Sequence, residues 1–193
     1  IRTFRVGVLG NLATRLGISA VPLLIPLMIQ IAYGQSAVVS GWIVAPMALT
    51  AMFGKSSVIK ILNKFGYRRV LMMNTFVIGL IISSLAIPGI DQSIYVFIPI
   101  LMVLGFFNSI HFTSMNTISI ADLRQNLTSS GNSFLSVNQQ LAMGFGTAFG
   151  LIVLKLFEGD TQLIKGEIHN AFRYTFLVMG IITVLSGFVF RRL

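Results

Sequence analysis

The sequence predicts an all-α integral membrane protein, and three observations carry the prediction. Of its 193 residues, 55% are hydrophobic and only 10% are charged, whereas a soluble domain carries about a quarter charged residues. Six apolar stretches approach or exceed the roughly 20 residues that a spanning helix needs, and none alternates as a transmembrane β-strand would. Sixteen Phe, nine Met and eighteen Gly stand against a single Trp, a balance that suits lipid-embedded helices in which Gly permits close contact.

The six predicted spans cover about 7–33, 37–59, 70–89, 94–115, 131–156 and 172–190, here A to F. Short polar connections separate most of them, such as Gly-Gln-Ser-Ala at 34–37 and Pro-Gly-Ile-Asp-Gln at 88–92. Gly10, Gly17, Pro22, Pro26, Pro46 and Gly105 fall inside spans; a bilayer bundle tolerates them because neighbouring helices satisfy the freed backbone groups. The chain has no cysteine, which removes disulfides, thiolate metal sites and thiol nucleophiles. Its first residue is Ile and no cleavable signal precedes the first apolar run, so it is expected to be a piece of a longer polypeptide.

Charge fixes the expected orientation. Arg2, Arg5, Lys60, Lys64, Arg68, Arg69, Arg124, Arg191 and Arg192 share one side with a single acid, Asp122. Lys155, Lys165 and Arg173 share the other with Asp91, Glu158, Asp160 and Glu167. Basic residues gather on the cytoplasmic side of membrane proteins, which predicts a multi-pass protein with both termini of this segment in the cytoplasm. The net charge of +9 is then explained by topology and by attraction to anionic lipid headgroups. Nucleic acid is not expected as a partner, since no aromatic-basic surface supports it.

Residues 63–69, Asn63-Lys64-Phe65-Gly66-Tyr67-Arg68-Arg69, join spans B and C. They resemble the cytoplasmic loop signature of the major facilitator superfamily, with Ile59 where that family usually has Gly and Asn63 where it has Asp. Gly66 can make the tight turn, and Lys64, Arg68 and Arg69 can hold the loop in the cytoplasm. Three further stretches, 5–30, 114–136 and 138–150, resemble the C-terminal six helices of the fourteen-helix drug:proton antiporter branch of that superfamily, most closely its multidrug exporters. The resemblance runs from Arg2 to Arg192. It implies half of a major facilitator bundle, built from two inverted three-helix repeats, A-B-C and D-E-F. The first helix of each would face a central cavity, and B and E would line the seam with the N-terminal half of the polypeptide.

Arg15 lies deep in span A, where Arg costs roughly 2.5–3.5 kcal/mol unless it faces protein or water. Asn11 is one turn below on the same face. Arg15 can attract anionic substrate groups, pair with an acid in the other half, or lock onto carbonyls at a helix break near Pro22 and Pro26. His111, with Asn108 one turn before it, is a conceivable proton carrier or a satisfied buried histidine. None of the six spans contains Asp or Glu, so proton coupling would use His111 or a site in the other half. On E, Ser133, Ser136, Gln140, Gly144 and Thr147 form one stripe, beside a polar block of Asn138, Gln139 and Gln140. It can line an aqueous path or bond neighbouring helices. Gly146 and Gly150 form a close-packing GxxxG. Lys55, late in B, can snorkel to headgroups or make an interdomain salt bridge. Phe106, Phe107, Phe112, Met115, Met143 and Phe145 offer an adaptable apolar surface or lipid-facing filler.

Enzyme chemistry is not expected. Gly131-Asn132-Ser133 begins a Gly-x-Ser, but the second Gly is absent and 172–190 holds no His. No phosphate loop, zinc spacing or paired catalytic carboxylate is present, and neither a cofactor nor a metal is expected. The function implied is proton-coupled export of amphipathic drug-like compounds by alternating access, with a small-molecule substrate, protons and the lipid bilayer as partners. Two alternatives stand beside it: export of a small anionic metabolite such as a carboxylate, and a non-transporting six-helix membrane subunit.

Overall fold

The computed structural model describes residues 2–121, 128–159 and 165–188. Asp122, Arg124, Asp160, Arg191 and Arg192 lie outside the described residues. Seven α-helices make up the described bundle, and no strand occurs among the described residues: α1 (Arg2–Ile18), α2 (Val21–Ile31), α3 (Ala37–Phe65), α4 (Tyr67–Ser84), α5 (Phe97–Ala121), α6 (Thr128–Glu158) and α7 (Lys165–Ser186). A short 3-10 turn, Ile94–Val96, leads into α5.

Span A is two helices, not one. Pro22 has no N–H to give the carbonyl of Ile18, and its ring disfavours a helix continuing through that point. The chain turns at Ser19–Ala20 and restarts with Pro22 in the first turn of α2, where a missing donor costs nothing. The break keeps its backbone bonded: Ser19 N donates to Arg15 O at 3.0 Å and Leu24 N to Ala20 O at 2.8 Å.

Among the described residues, five stretches are long and apolar enough to cross a membrane: Val8–Ile31, Ala37–Phe65, Ile94–Ser119, Ser129–Glu158 and Gly166–Ser186. They match spans A, B, D, E and F. The third predicted span, 70–89, corresponds instead to the 18-residue α4. That helix starts earlier, and Arg68 and Arg69 in its first turn reduce its apolar length; residues 85–89 lie beyond its end. Span B extends six residues further, to Phe65. Span F begins seven residues earlier, at Lys165, and therefore includes His169.

Ser36 caps α3 by accepting from Val39 N at 3.3 Å. At the other end Gly66, with φ +73°, is the whole connection to α4. Its N–H bonds Leu62 O at 2.9 Å and its carbonyl accepts from Val70 N at 3.1 Å. A residue with a Cβ is strained at that φ.

The closest helix partnerships are α3 with α5, α4 with α7, and α1 with α6; α4 also packs on α5, and α1 on both α7 and α5. Small residues make these approaches possible. A Cβ on Gly105 would stand 2.1 Å from Met47 O, and one on Gly180 2.7 Å from Gly79 O. The main apolar core is gathered around α2, where Leu24, Ile25, Met28 and Ile29 pack with Phe172, Phe176, Ile82 and Phe97.

Candidate functional site

Halfway along the bundle the packing turns polar. Asn11 and Arg15 on α1, and Asn108 and His111 on α5, line one cavity together with Ile18, Phe112 and Met115. Arg15 occupies the last turn of α1, just before the Pro22 break, so its depth follows from the interruption of that helix. Its Nε donates to Asn11 Oδ1 at 2.7 Å, the i, i+4 partner expected on one face. Its guanidinium lies 5.2 Å from the centre of the Phe112 ring, a cation–π distance. The side chain thus bonds Asn11, not the backbone carbonyls of the helix break. Asn11 and His111 are buried and Arg15 is partly so. His111 Nδ1 is 3.4 Å from Thr75 Oγ1 on α4, and Thr75 donates to Leu71 O at 2.7 Å.

The cavity measures about 20 Å³, enough for about one water and far below the few hundred Å³ of a drug-sized pocket. It is a polar node with room for a water molecule.

Ser136 and Gln140 do not join this group. With Ser133 and Gly144 they lie exposed along α6, while Thr147 turns inward and bonds Ser19 O at 3.3 Å. Of the neighbouring polar block, Asn138 Nδ2 donates to Val8 O at 3.5 Å and Gln139 Nε2 to Asn116 Oδ1, tying α6 to α1 and α5. Gly146 and Gly150 sit where α6 meets the break in span A. A Cβ at Gly146 would fall 2.3 Å from Arg15 O, and one at Gly150 2.2 Å from Ala20 Cβ. Of the apolar group named from sequence, Phe112, Met143 and Phe145 are exposed, whereas Met115 is buried and Phe107 packs against the main core. Asn63, Lys64, Arg68 and Arg69 are exposed around Gly66, and Lys64 Nζ lies 5.4 Å from the centre of the Phe65 ring. Lys55 is exposed on α3.

A second polar group, unread in the sequence, closes the opposite end of the bundle. Tyr33 Oη donates to Gly89 O at 3.1 Å and lies 3.1 Å from His169 Nε2. Arg173 Nε donates to Ala86 O at 2.5 Å. Burial raises the Tyr33 hydroxyl above its ordinary pKa, and nearby Arg173 offsets part of that rise. The tyrosine-histidine pair joins the end of span A, the α4–α5 connection and α7, across 136 residues of sequence. Once α7 begins at Lys165, His169 lies one turn inside it; no local spacing in the sequence announces its partner. Among the described residues, no group of three or more His, Cys, Asp or Glu could hold a metal ion.

The fold and the polar node define a class: an all-helical, multi-pass membrane bundle with buried polar side chains at mid-depth. No family model matches the chain. Relatives do. It is 36% identical over 191 residues to "Putative multidrug resistance protein MdtD" of Pectobacterium atrosepticum, covering 98% of this chain and 41% of that protein. It is 37% identical over 192 residues to the protein of the same name from Escherichia coli strain SE11, covering 99% and 41% respectively. The chain is a homologue of these major facilitator proteins, the group that its sequence resembles, and spans about two-fifths of their length.

Proposed function

We propose that the chain is the C-terminal six-helix half of an exporter of amphipathic drug-like compounds, coupled to protons and working by alternating access in the cytoplasmic membrane. The name that its relatives carry, multidrug resistance protein, supports the substrate class. The observation that carries the reading is the buried node of Asn11, Arg15, Asn108 and His111 between α1 and α5, because intramembrane ionisable groups mark substrate and proton paths.

Two inverted repeats, α1/α2–α3–α4 and α5–α6–α7, are supported by the pattern of partners. The α1–α6 pair corresponds to α5–α3, and α1–α7 to α5–α4, as exchange of the repeats requires. The first helices then face the middle of the transporter. The other half of the protein covers α3 and α6, whose exposed Ser56, Ser133, Ser136 and Gln140 suit a lipid face poorly. Both termini are cytoplasmic, by the basic residues at that end. The described carboxylates, Asp91, Glu158 and Glu167, lie at the opposite end. Proton binding therefore falls to His111 or to the rest of the polypeptide.

One observation favours a second substrate class: the charge at the node is the cation Arg15, which suits a small carboxylate. Arg15→Gln in the full-length protein separates the two. In everted vesicles, export of a lipophilic cation is expected to survive or rise. Collapse of carboxylate export with no effect on the cation would move the assignment to anions. Equal loss of both would make Arg15 structural and remove the node from the transport path.

A further inference from the structure

Two apolar grooves flank the first turns of α4, and the same two side chains, Met73 and Val77, form a wall of each. The first, of about 310 Å³, runs between α4 and α7, with Met72, Val184 and Phe188 completing it. The second, of about 230 Å³, runs between α4 and the α3–α5 pair, with Phe65, Phe106 and Ile110 opposite. Among the described residues, the only polar side chain on either wall is Asn74, and its amide already donates to Phe107 O at 2.9 Å.

Cations crown both grooves. Arg69 stands one turn before Met73, and Arg68 one turn before Met72, on the same helical stripes. Lys64 lies against the ring of Phe65, which lines the second groove. All three cations are exposed, and every described carboxylate lies at the other end of the bundle. Positive charge at the headgroup level thus sits directly over a pair of apolar channels separated by one ridge.

We infer that this surface is a binding site for a two-chain anionic phospholipid. One acyl chain lies in each groove astride α4, and the phosphate is held by Arg68 and Arg69 with Lys64 beside them. The chemistry is charge-assisted at the rim and contact-driven below it, where Met73 gives an adaptable wall. The two channels with a shared ridge match a two-tailed ligand, and a cationic rim with no described carboxylate at its end of the bundle selects a negative headgroup.

The test uses the full-length protein in phosphatidylcholine vesicles containing a trace of spin-labelled phosphatidylglycerol or of spin-labelled phosphatidylcholine with the same chains. The wild type is expected to prefer phosphatidylglycerol. The double variant R68Q/R69Q should lower that preference by about twenty-five-fold, since each basic residue near a membrane surface is worth roughly a factor of five. K55Q removes a charge away from the grooves and should leave the preference intact. Val77→Trp raises a bulky ring on the ridge that the two channels share and should weaken association of both lipids. Preference that persists in R68Q/R69Q overturns the site. So does displacement of the labelled phosphatidylglycerol by an equal concentration of glycerol phosphate, which would leave a headgroup site with no use for the grooves. Unchanged association in Val77→Trp overturns it as well.

Discussion

Two of the helix–helix contacts in the bundle, α4 with α7 and α1 with α5, are built in opposite ways. Where α4 meets α7, Gly79 faces Gly180 so closely that a Cβ on Gly79 would stand 2.8 Å from Gly180 O, and one on Gly180 2.1 Å from Ser83 Oγ. Where α1 meets α5, an arginine, a histidine and two asparagines surround a cavity of about 20 Å³. Lipid tails are as apolar as leucine, so helices in a bilayer gain little by hiding apolar surface from it and rely on close packing and hydrogen bonds. The α4–α7 contact supplies the packing. The α1–α5 contact spends volume on polar groups that can exchange partners. Cohesion and adaptability are therefore assigned to different helix pairs.

The comparison breaks most readily at its tight side. Gly180→Val should cost about 3 kcal/mol, since the new side chain meets backbone that cannot yield; unfolding of the full-length protein in mixed detergent micelles reads the loss. An unchanged midpoint would mean that α4 and α7 are not locked. On the polar side, Asn11→Ala removes the Arg15 hydrogen bond. It should cost only about 1 kcal/mol in the same assay, while transport falls by more than stability does. A transport loss no larger than the stability loss would make the node ordinary packing. Smallest of all, Gly144→Ala should change stability by less than about 0.5 kcal/mol, because nothing lies within 4 Å of the added methyl. A large effect there would place a partner against α6 that the isolated bundle does not contain.

The contrast also explains what the sequence could and could not disclose. Span length is a property of one stretch, so five of the spans were readable from apolar run length alone. The third was misplaced because Arg68 and Arg69 belong to its first turn and Pro88 to the connection beyond it. Asn11, Arg15, Asn108 and His111 were readable as two i, i+4 or i, i+3 groups on separate helices, since an ionisable residue in an apolar run is conspicuous by itself. That both groups meet at one cavity depends on how α1 docks on α5, which no local pattern encodes. Thr75 beside His111 and Tyr33 beside His169 were hidden for the same reason: each partner lies on a distant part of the chain and is individually unremarked. Gly146 and Gly150 announced a close approach, but not that it is the backbone of Arg15 and the side chain of Ala20 that they meet.

The Gly66 junction has a mechanical meaning. With one residue between Phe65 and Tyr67, and hydrogen bonds from that residue into both helices, no slack separates α3 from α4. Whatever tilts the end of α3 pulls the first turn of α4 with it, as a crank turns its arm. The exposed face of α3 and the basic residues Arg68 and Arg69 are in this way linked through an elbow rather than a tether, so a tilt of one helix is passed directly to the other.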